Sequence, residues 1–366
     1  MTTRRDFLAQ TAAVSVVAIS PLQVLEVVKT PAHRRVGSSG SAPGVVQTVR
    51  GPVDASKLGF TLPHEHICAS SAGFWQVWPE FFGGRARFAR KVVDELKAAK
   101  DDGVDTIVDV TTSDIGRDIR LIEEVSRKSG VQIVACTGHW LYPSLSMGAR
   151  TIEELTEFFV LEIERGLEGT DIKPGVIKVA TDREGVTPFL DKALRAAARA
   201  SKATGVPVTT HSYAAERGGE KQATIFEEEG LGPARVCLGH SDESDDIPYL
   251  TGLAGRGYTI GMDHLFYGLP AAQPMRPGAP SWQRRAECLK ELVDAGFGGR
   301  VLLSTDWFYG ASIAGTGAMA TIEKVNPDGI LFNTRKTIPY LKQIGVTDEQ
   351  IRAITVENPR RFLAGA

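Results

Sequence analysis

Gly59-Phe60-Thr61-Leu62-Pro63-His64-Glu65-His66 is a short, largely apolar run that ends in two histidines. Seven runs of similar build follow it: Thr106–Thr112, Gln132–Gly138, Gly175–Thr181, Val206–His211, Arg235–His240, Tyr258–His264 and Arg300–Trp307. Between them lie segments of helical period, among them Ala89–Asp101, Ile119–Lys128, Ile152–Leu167, Phe189–Thr204, Glu220–Glu229, Ile247–Arg256 and Ser281–Ala295. Gly103, Gly130, Gly205, Gly230 and Gly257 stand where such helices would end. Strand alternating with helix predicts βα units on a parallel sheet. Eight units over about 310 residues predict an α/β fold, a single TIM (β/α)8 barrel.

The flanks of that barrel are different in kind. The 366 residues are 42% hydrophobic and 23% charged, which excludes fibrous and wholly disordered chains. Lys plus Arg (42) nearly balance Asp plus Glu (44), so the net charge of −2 offers no footprint for nucleic acid. Residues 1–40 nevertheless hold five basic and two acidic side chains, leaving 37 against 42 for the rest. This front end opens Thr3-Arg4-Arg5-Asp6-Phe7-Leu8 and continues as an apolar stretch from Phe7 to Ile19 before Pro21. A charged head before a short apolar region is the order of an export signal, and the paired arginines resemble the twin-arginine type. A frayed amphipathic helix is the alternative. An apolar stretch this short falls below the ~20 residues that span a bilayer, so no integral span is expected in the mature protein. Residues 36–44 then read as a flexible spacer. The expected organisation is a signal and spacer over 1–44, the barrel domain over 45–366, and a periplasmic or envelope location.

Cys68, Cys136, Cys237 and Cys288 form no CxxC pair, which argues against a zinc ribbon. Free buried thiols are the default reading, with a disulfide left open by the even count.

His33 lies in the leader, whereas His64, His66, His139, His211, His240 and His264 all fall at or just past the C-terminal end of a predicted strand. In a TIM barrel that rim is the catalytic face. Alternate strand residues share a face, so His64 and His66 can reach one ion while Glu65 faces outward. Adding His211, His240 and Asp306 gives more ligands than one four-coordinate zinc needs, and the surplus argues for two metals. Lys178 sits inside the apolar run Gly175–Thr181. Its ammonium must snorkel to solvent, find a partner, lose its proton or be modified; a neutral amine can add carbon dioxide to give a bridging carbamate.

On these residues the chain resembles the bacterial phosphotriesterases, or aryldialkylphosphatases, of the amidohydrolase superfamily. The resemblance runs from Val46-Gln47-Thr48-Val49-Arg50-Gly51-Pro52 through Leu62-Pro63-His64-Glu65-His66-Ile67, Ile177-Lys178-Val179-Ala180-Thr181 and Val208-Thr209-Thr210-His211. It continues through Gly239-His240-Ser241-Asp242, Gly261-Met262-Asp263-His264, Asp306-Trp307 and Val325-Asn326-Pro327-Asp328-Gly329 to Thr355-Val356-Glu357-Asn358-Pro359. It implies that His64, His66 and Asp306 hold one divalent metal and His211 and His240 another. Zinc is the leading candidate, with manganese and cobalt as alternatives. Lys178, as a carbamate, and a hydroxide would bridge the two. The implied reaction is in-line attack of that hydroxide on a neutral organophosphate triester with an aryl leaving group. Asp306 would take the proton and pass it to His264 and then to Glu243, a position where relatives carry Asp. A solvated rim carboxylate is the other reading of Glu243.

The implied pocket is lined by Ala69, Ile115, Trp140, Leu141, Phe308, Ile313 and Ile322, an apolar wall suited to a small neutral ester. Ala311 and Ala314 stand where the family shows larger aromatics, and Tyr267 where His is common. The loop Leu265–Pro280, with four prolines, is expected to shape the substrate site. The aromatic run Phe74-Trp75-Gln76-Val77-Trp78-Pro79-Glu80-Phe81-Phe82 is too dense for a solvated loop. It is either core packing or, as the resemblance implies, the interface of a homodimer. Lactone hydrolysis by the same two metals is the nearest rival function, and a metal-binding protein without turnover is a third reading.

Overall fold

The computed structural model describes residues 44–272, 278–310 and 318–365. The export signal, nearly all of the spacer, and the loop residues Ala311, Ile313 and Ala314 lie outside these. An antiparallel hairpin comes first, β1 (Val45–Thr48) with β2 (Gly51–Asp54). Eight strands follow: β3 (Thr61–Glu65), β4 (Thr106–Asp109), β5 (Gln132–Gly138), β6 (Val176–Ala180), β7 (Val208–His211), β8 (Val236–Leu238), β9 (Thr259–Met262) and β10 (Val301–Leu303). Each pairs in parallel with its neighbour in chain order, as right-handed βα units require. The seam between β10 and β3 is closed beyond their ends: Asp306 N–H donates to His64 O at 3.0 Å and His66 N–H to Trp307 O at 2.8 Å. The fold is therefore a single (β/α)8 TIM barrel, as the alternation of runs predicts.

Parallel strands covered on both faces are buried throughout, and every residue of β3, β6 and β7 is buried. The covering helices are α1 (Arg85–Asp101), α2 (Ile119–Ser129), α3 (Ile152–Arg165), α4 (Pro188–Thr204), α5 (Gly218–Glu228), α6 (Ile247–Gly255), α7 (Trp282–Leu292) and α8 (Ala318–Val325). Helix α1 shows why they dock: Phe88, Ala89, Val92, Val93, Leu96 and Ala99 recur every three or four residues and form its buried stripe. At α4 the Thr187 hydroxyl accepts from Leu190 N–H, Pro188 occupies the first turn, and Gly205 ends the helix left-handed at φ 81°.

The structure corrects two local expectations and details a third. The strands stop short of the histidines at most ends, because His66, His240, His264 and Asp306 leave the ladders to point at the barrel mouth. Glu65 does not reach solvent; it is wholly buried at the β10 seam. The aromatic run forms two short helical turns, Phe74–Val77 and Pro79–Phe82. Of this run, Trp75 is core, packed at a tilt against Phe82 and Phe88 with ring centroids 5.2 and 4.8 Å away, while Val77 and Trp78 stay 84% and 53% exposed. All four cysteines are buried and free. Among the described residues, no helix is long and apolar enough to cross a membrane.

Candidate functional site

The parallel register decides which side chains meet. Lys178 lies opposite Thr209 on β7 and Gly138 on β5, and His211 lies opposite Ala180. Gly138 is required here: its φ is +117°, and a Cβ would lie 1.8 Å from the Lys178 carbonyl oxygen. Lys178 is buried and 1% exposed, so the snorkelling alternative is excluded. Its Nζ approaches His64 Nε2 to 2.6 Å. Burial pushes its pKa down to about 8 against the attraction of Asp306 and Asp263.

Nitrogens and a carboxylate converge beside it. Asp306 Oδ1 lies 3.3 Å from His66 Nε2 and 3.6 Å from His64 Nε2, yet this buried oxygen accepts no hydrogen bond. Metal–ligand bonds of about 2.1 Å at tetrahedral angles put ligand atoms ~3.4 Å apart, so the spacing matches a trio sharing one cation. His211 Nδ1 and His240 Nε2 face each other at 2.7 Å. Ligation needs neutral imidazoles. Burial, aided by the Lys178 charge, pushes His64 down to about 4, and burial likewise lowers His211 and His240.

Three of these four rings are also held from behind, as metal-binding imidazoles generally are. Asp263 faces His64 Nδ1 at 2.9 Å and bonds His240 Nδ1 at 2.8 Å, and Thr111 Oγ1 meets His66 Nδ1 at 2.9 Å. Neither Asp263 nor Thr111 was singled out from sequence; Asp263 carried the one usable signal, a carboxylate beside His264 at a strand end. The residues present therefore fit a divalent ion at His64, His66 and Asp306. His211, His240 and Lys178 lie close by.

Behind Asp306 runs a second chain of contacts. His264 Nε2 lies 2.7 Å from Asp306 Oδ2, and His264 Nδ1 lies 2.8 Å from Glu243 Oε1. Glu243 is buried and in contact, so the solvated reading fails and its extra methylene does not break the line. Burial opposes charge on His264, but its hydrogen bonds to Asp306 and Glu243 win and raise it to about 9. Asp306 is held well below the carboxylate range: burial opposes this, and the bond from His264 together with the nearby His66 and His64 rings outweighs it. Asp242 fixes the backbone here by accepting from Asp263 N–H and His264 N–H, and Arg285 lies 3.4 Å from it.

Of the predicted pocket residues, Ala69, Ile115 and Leu141 are buried at the mouth, and Trp140 sets its ring 6.0 Å from the His211 ring. Phe308 bridges to His66 in parallel fashion. Ile322 is buried on α8, a helix that meets the Pro270–Ala272 turn, and belongs to none of the His/Asp groups. Ile313 lies outside the described residues. His139, the sixth rim histidine, joins neither metal group; its Nδ1 lies 3.5 Å from Asp114.

Comparison with known proteins agrees with this geometry. An aryldialkylphosphatase of Saccharolobus solfataricus is 36% identical over 316 residues, covering 85% of this chain and 97% of its own. A phosphotriesterase homology protein of Mycobacterium tuberculosis is 36% identical over 333 residues, covering 87% and 97%. An N-acetyltaurine hydrolase of Danio rerio is 27% identical over 354 residues, covering 87% and 98%. Residues 44–363 match the phosphotriesterase family, and the chain belongs to it.

Proposed function

We propose that this chain is a metal-dependent hydrolase of neutral organophosphate triesters with aryl leaving groups. The carrying observation is the trio His64, His66 and Asp306 with the line His264–Glu243 directly behind it. His64, His66 and Asp306 would hold one divalent ion, His211 and His240 a second, and Lys178 as a carbamate would join them. Two such ions, when bound, lower the pKa of water and polarise a phosphoryl oxygen. The chain's own residues do the rest. Asp306 Oδ2 receives the proton and His264 Nε2 takes it over 2.7 Å; His264 Nδ1 hands one on to Glu243 Oε1 over 2.8 Å. Trp140, Leu141, Ile115 and Ala69 exclude water and receive the aryl group. The aryldialkylphosphatase relative supports the triester reading, while the N-acetyltaurine hydrolases show that relatives act on other bonds. The proposal extends to export through the Arg4-Arg5 leader and to a homodimer joined at the exposed Val77 and Trp78.

The test is hydrolysis of an aryl phosphotriester and an aliphatic lactone on protein whose metal content is measured. Two divalent ions per chain, loss of hydrolysis on chelation and a faster triester rate are expected. A lactone rate far above the triester rate would transfer the chain to lactone chemistry.

A further inference from the structure

Glu65, between the two histidines of β3, takes no part in the steps above. It is fully buried, yet four bonds to its carboxylate run across the barrel seam to one short segment. Oε1 accepts from Ser304 Oγ at 2.7 Å and Thr305 N–H at 2.9 Å. Oε2 accepts from Thr305 Oγ1 at 2.6 Å and Trp307 N–H at 2.7 Å. Ser304 Oγ in turn accepts from His64 N–H at 2.9 Å.

The segment so gripped contains Asp306, whose φ of 51° is left-handed. Such a conformation costs an L residue energy, less for Asp than for most, so its surroundings decide how firmly it is held. The grip falls on both sides: Thr305 N–H precedes Asp306 and Trp307 N–H follows it. We infer that Glu65 is a positioning residue that locks Asp306 in its left-handed conformation and so aims Oδ1 at His64 and His66. The metal part of this inference rests on the reading proposed above; the conformational part does not.

The donor pattern explains why a carboxylate is needed. A glutamine must turn an NH2 group to one side of the clasp. On the Oε1 side it meets Thr305 N–H, and on the Oε2 side Trp307 N–H. A backbone N–H cannot reverse its polarity, so either orientation sets donor against donor and leaves a buried amide unsatisfied. A hydroxyl could rotate away; these amides cannot. The strain falls on residues 305–307, with Asp306 in the middle.

The experiment compares wild type, Glu65→Gln and Thr305→Val, the last nearly isosteric and removing one donor from the clasp. Crystal structures give φ at residue 306, and zinc-loaded proteins give the release rates of the two ions to a chelator. In Glu65→Gln, Asp306 is expected to leave the left-handed region, and one ion to depart at least tenfold faster while the other keeps its wild-type rate. Thr305→Val should shift the same ion by less. Unchanged φ in folded Glu65→Gln, or equal acceleration of both ions, overturns the inference, because general loosening would act on both. If Glu65→Gln does not fold, Thr305→Val decides on the same readouts: selective release supports, no change overturns. A wild type that binds no zinc would sink the proposed metal site, leaving φ at residue 306 to judge Glu65.

Discussion

At the residue scale the sequence exposes donors better than their supports. Six rim histidines, Lys178 and Asp306 are readable because each is out of place on a strand: imidazoles at five of eight strand ends, or an amine in an apolar run, have no packing reason to be there. Thr111 and Glu65 are not readable and Asp263 only through its place beside His264, because a carboxylate or hydroxyl near a strand end is common in any chain, and only the folded register shows them facing a ring or an amide. Glu243 was legible as a position, and the structure adds that it touches His264 at 2.8 Å. If the line Asp306–His264–Glu243 carries protons outward, its worth depends on the leaving group. Glu243→Gln keeps an acceptor for His264 but cannot take its proton. For esters of poor phenolate leaving groups, kcat/KM should fall about 10- to 100-fold, the lower range for a general base one step removed. For nitrophenolates the fall should be small. Stopped-flow rates across a series of phenols measure this; a flat loss across the series would reduce Glu243 to a structural anchor.

At the element scale the eight strands and seven of the covering helices were legible from periodicity, while the hairpin β1–β2 was not. Strands this short carry too little alternation to read, and Val49 N–H finds its acceptor, Ile133 O, 84 residues away. The loops were legible only as lengths. What ties them is polar: Asp114 accepts from Trp140 N–H at 3.2 Å, and its own carbonyl accepts from Ala72 N–H at 3.2 Å. One residue thus joins the loops after β3, β4 and β5 that carry Ala69, Ile115 and Trp140. Asp114→Ala frees the Trp140 amide, and a lost hydrogen bond of about 1 kcal/mol should raise KM for aryl esters several-fold. Steady-state kinetics should show kcat and metal content close to wild type. Deeper in the wall, Arg117 is 4% exposed and spans Glu162 at 2.6 Å, Glu168 at 2.8 Å and Cys136 O at 2.7 Å, joining the start of α2 to α3 and β5. Arg117→Met strands two partly shielded carboxylates and one carbonyl. The loss should be about 2–4 kcal/mol, below the full buried-pair range because both carboxylates keep some water. Urea unfolding measures it, and a loss under 1 kcal/mol would show that the pair is solvated.

At the scale of the whole molecule, the even charge of −2 hides a lopsided mouth. Asp306, Glu243, Asp263, Asp242 and Asp114 all stand at the rim, and the cations nearest them are already engaged. Lys178 lies against His64, and Arg285 is buried on Asp242 and the His264 carbonyl. The apolar faces of Ala69, Ile115 and Leu141 complete the wall. A phosphodiester would bring a full negative charge to this mouth. No arginine or lysine among the predicted pocket residues can pair with it, and desolvating it is costly. Bound metal ions would offset part of that cost, since they are the largest local charges in such a site. A remaining penalty of about 3 kcal/mol in the transition state corresponds to a roughly 100-fold lower kcat/KM. The neutral triester should therefore outrun the diester of the same phenol by about that factor. Because the penalty is electrostatic, adding a cation should reduce it: Leu141→Arg, at the apolar wall, should narrow the ratio by speeding the diester and slowing the triester. Paired kinetics on the two esters decide the point. A diester rate equal to the triester rate in the unmodified protein would mean that the metal charges dominate the mouth and that the apolar wall does not select.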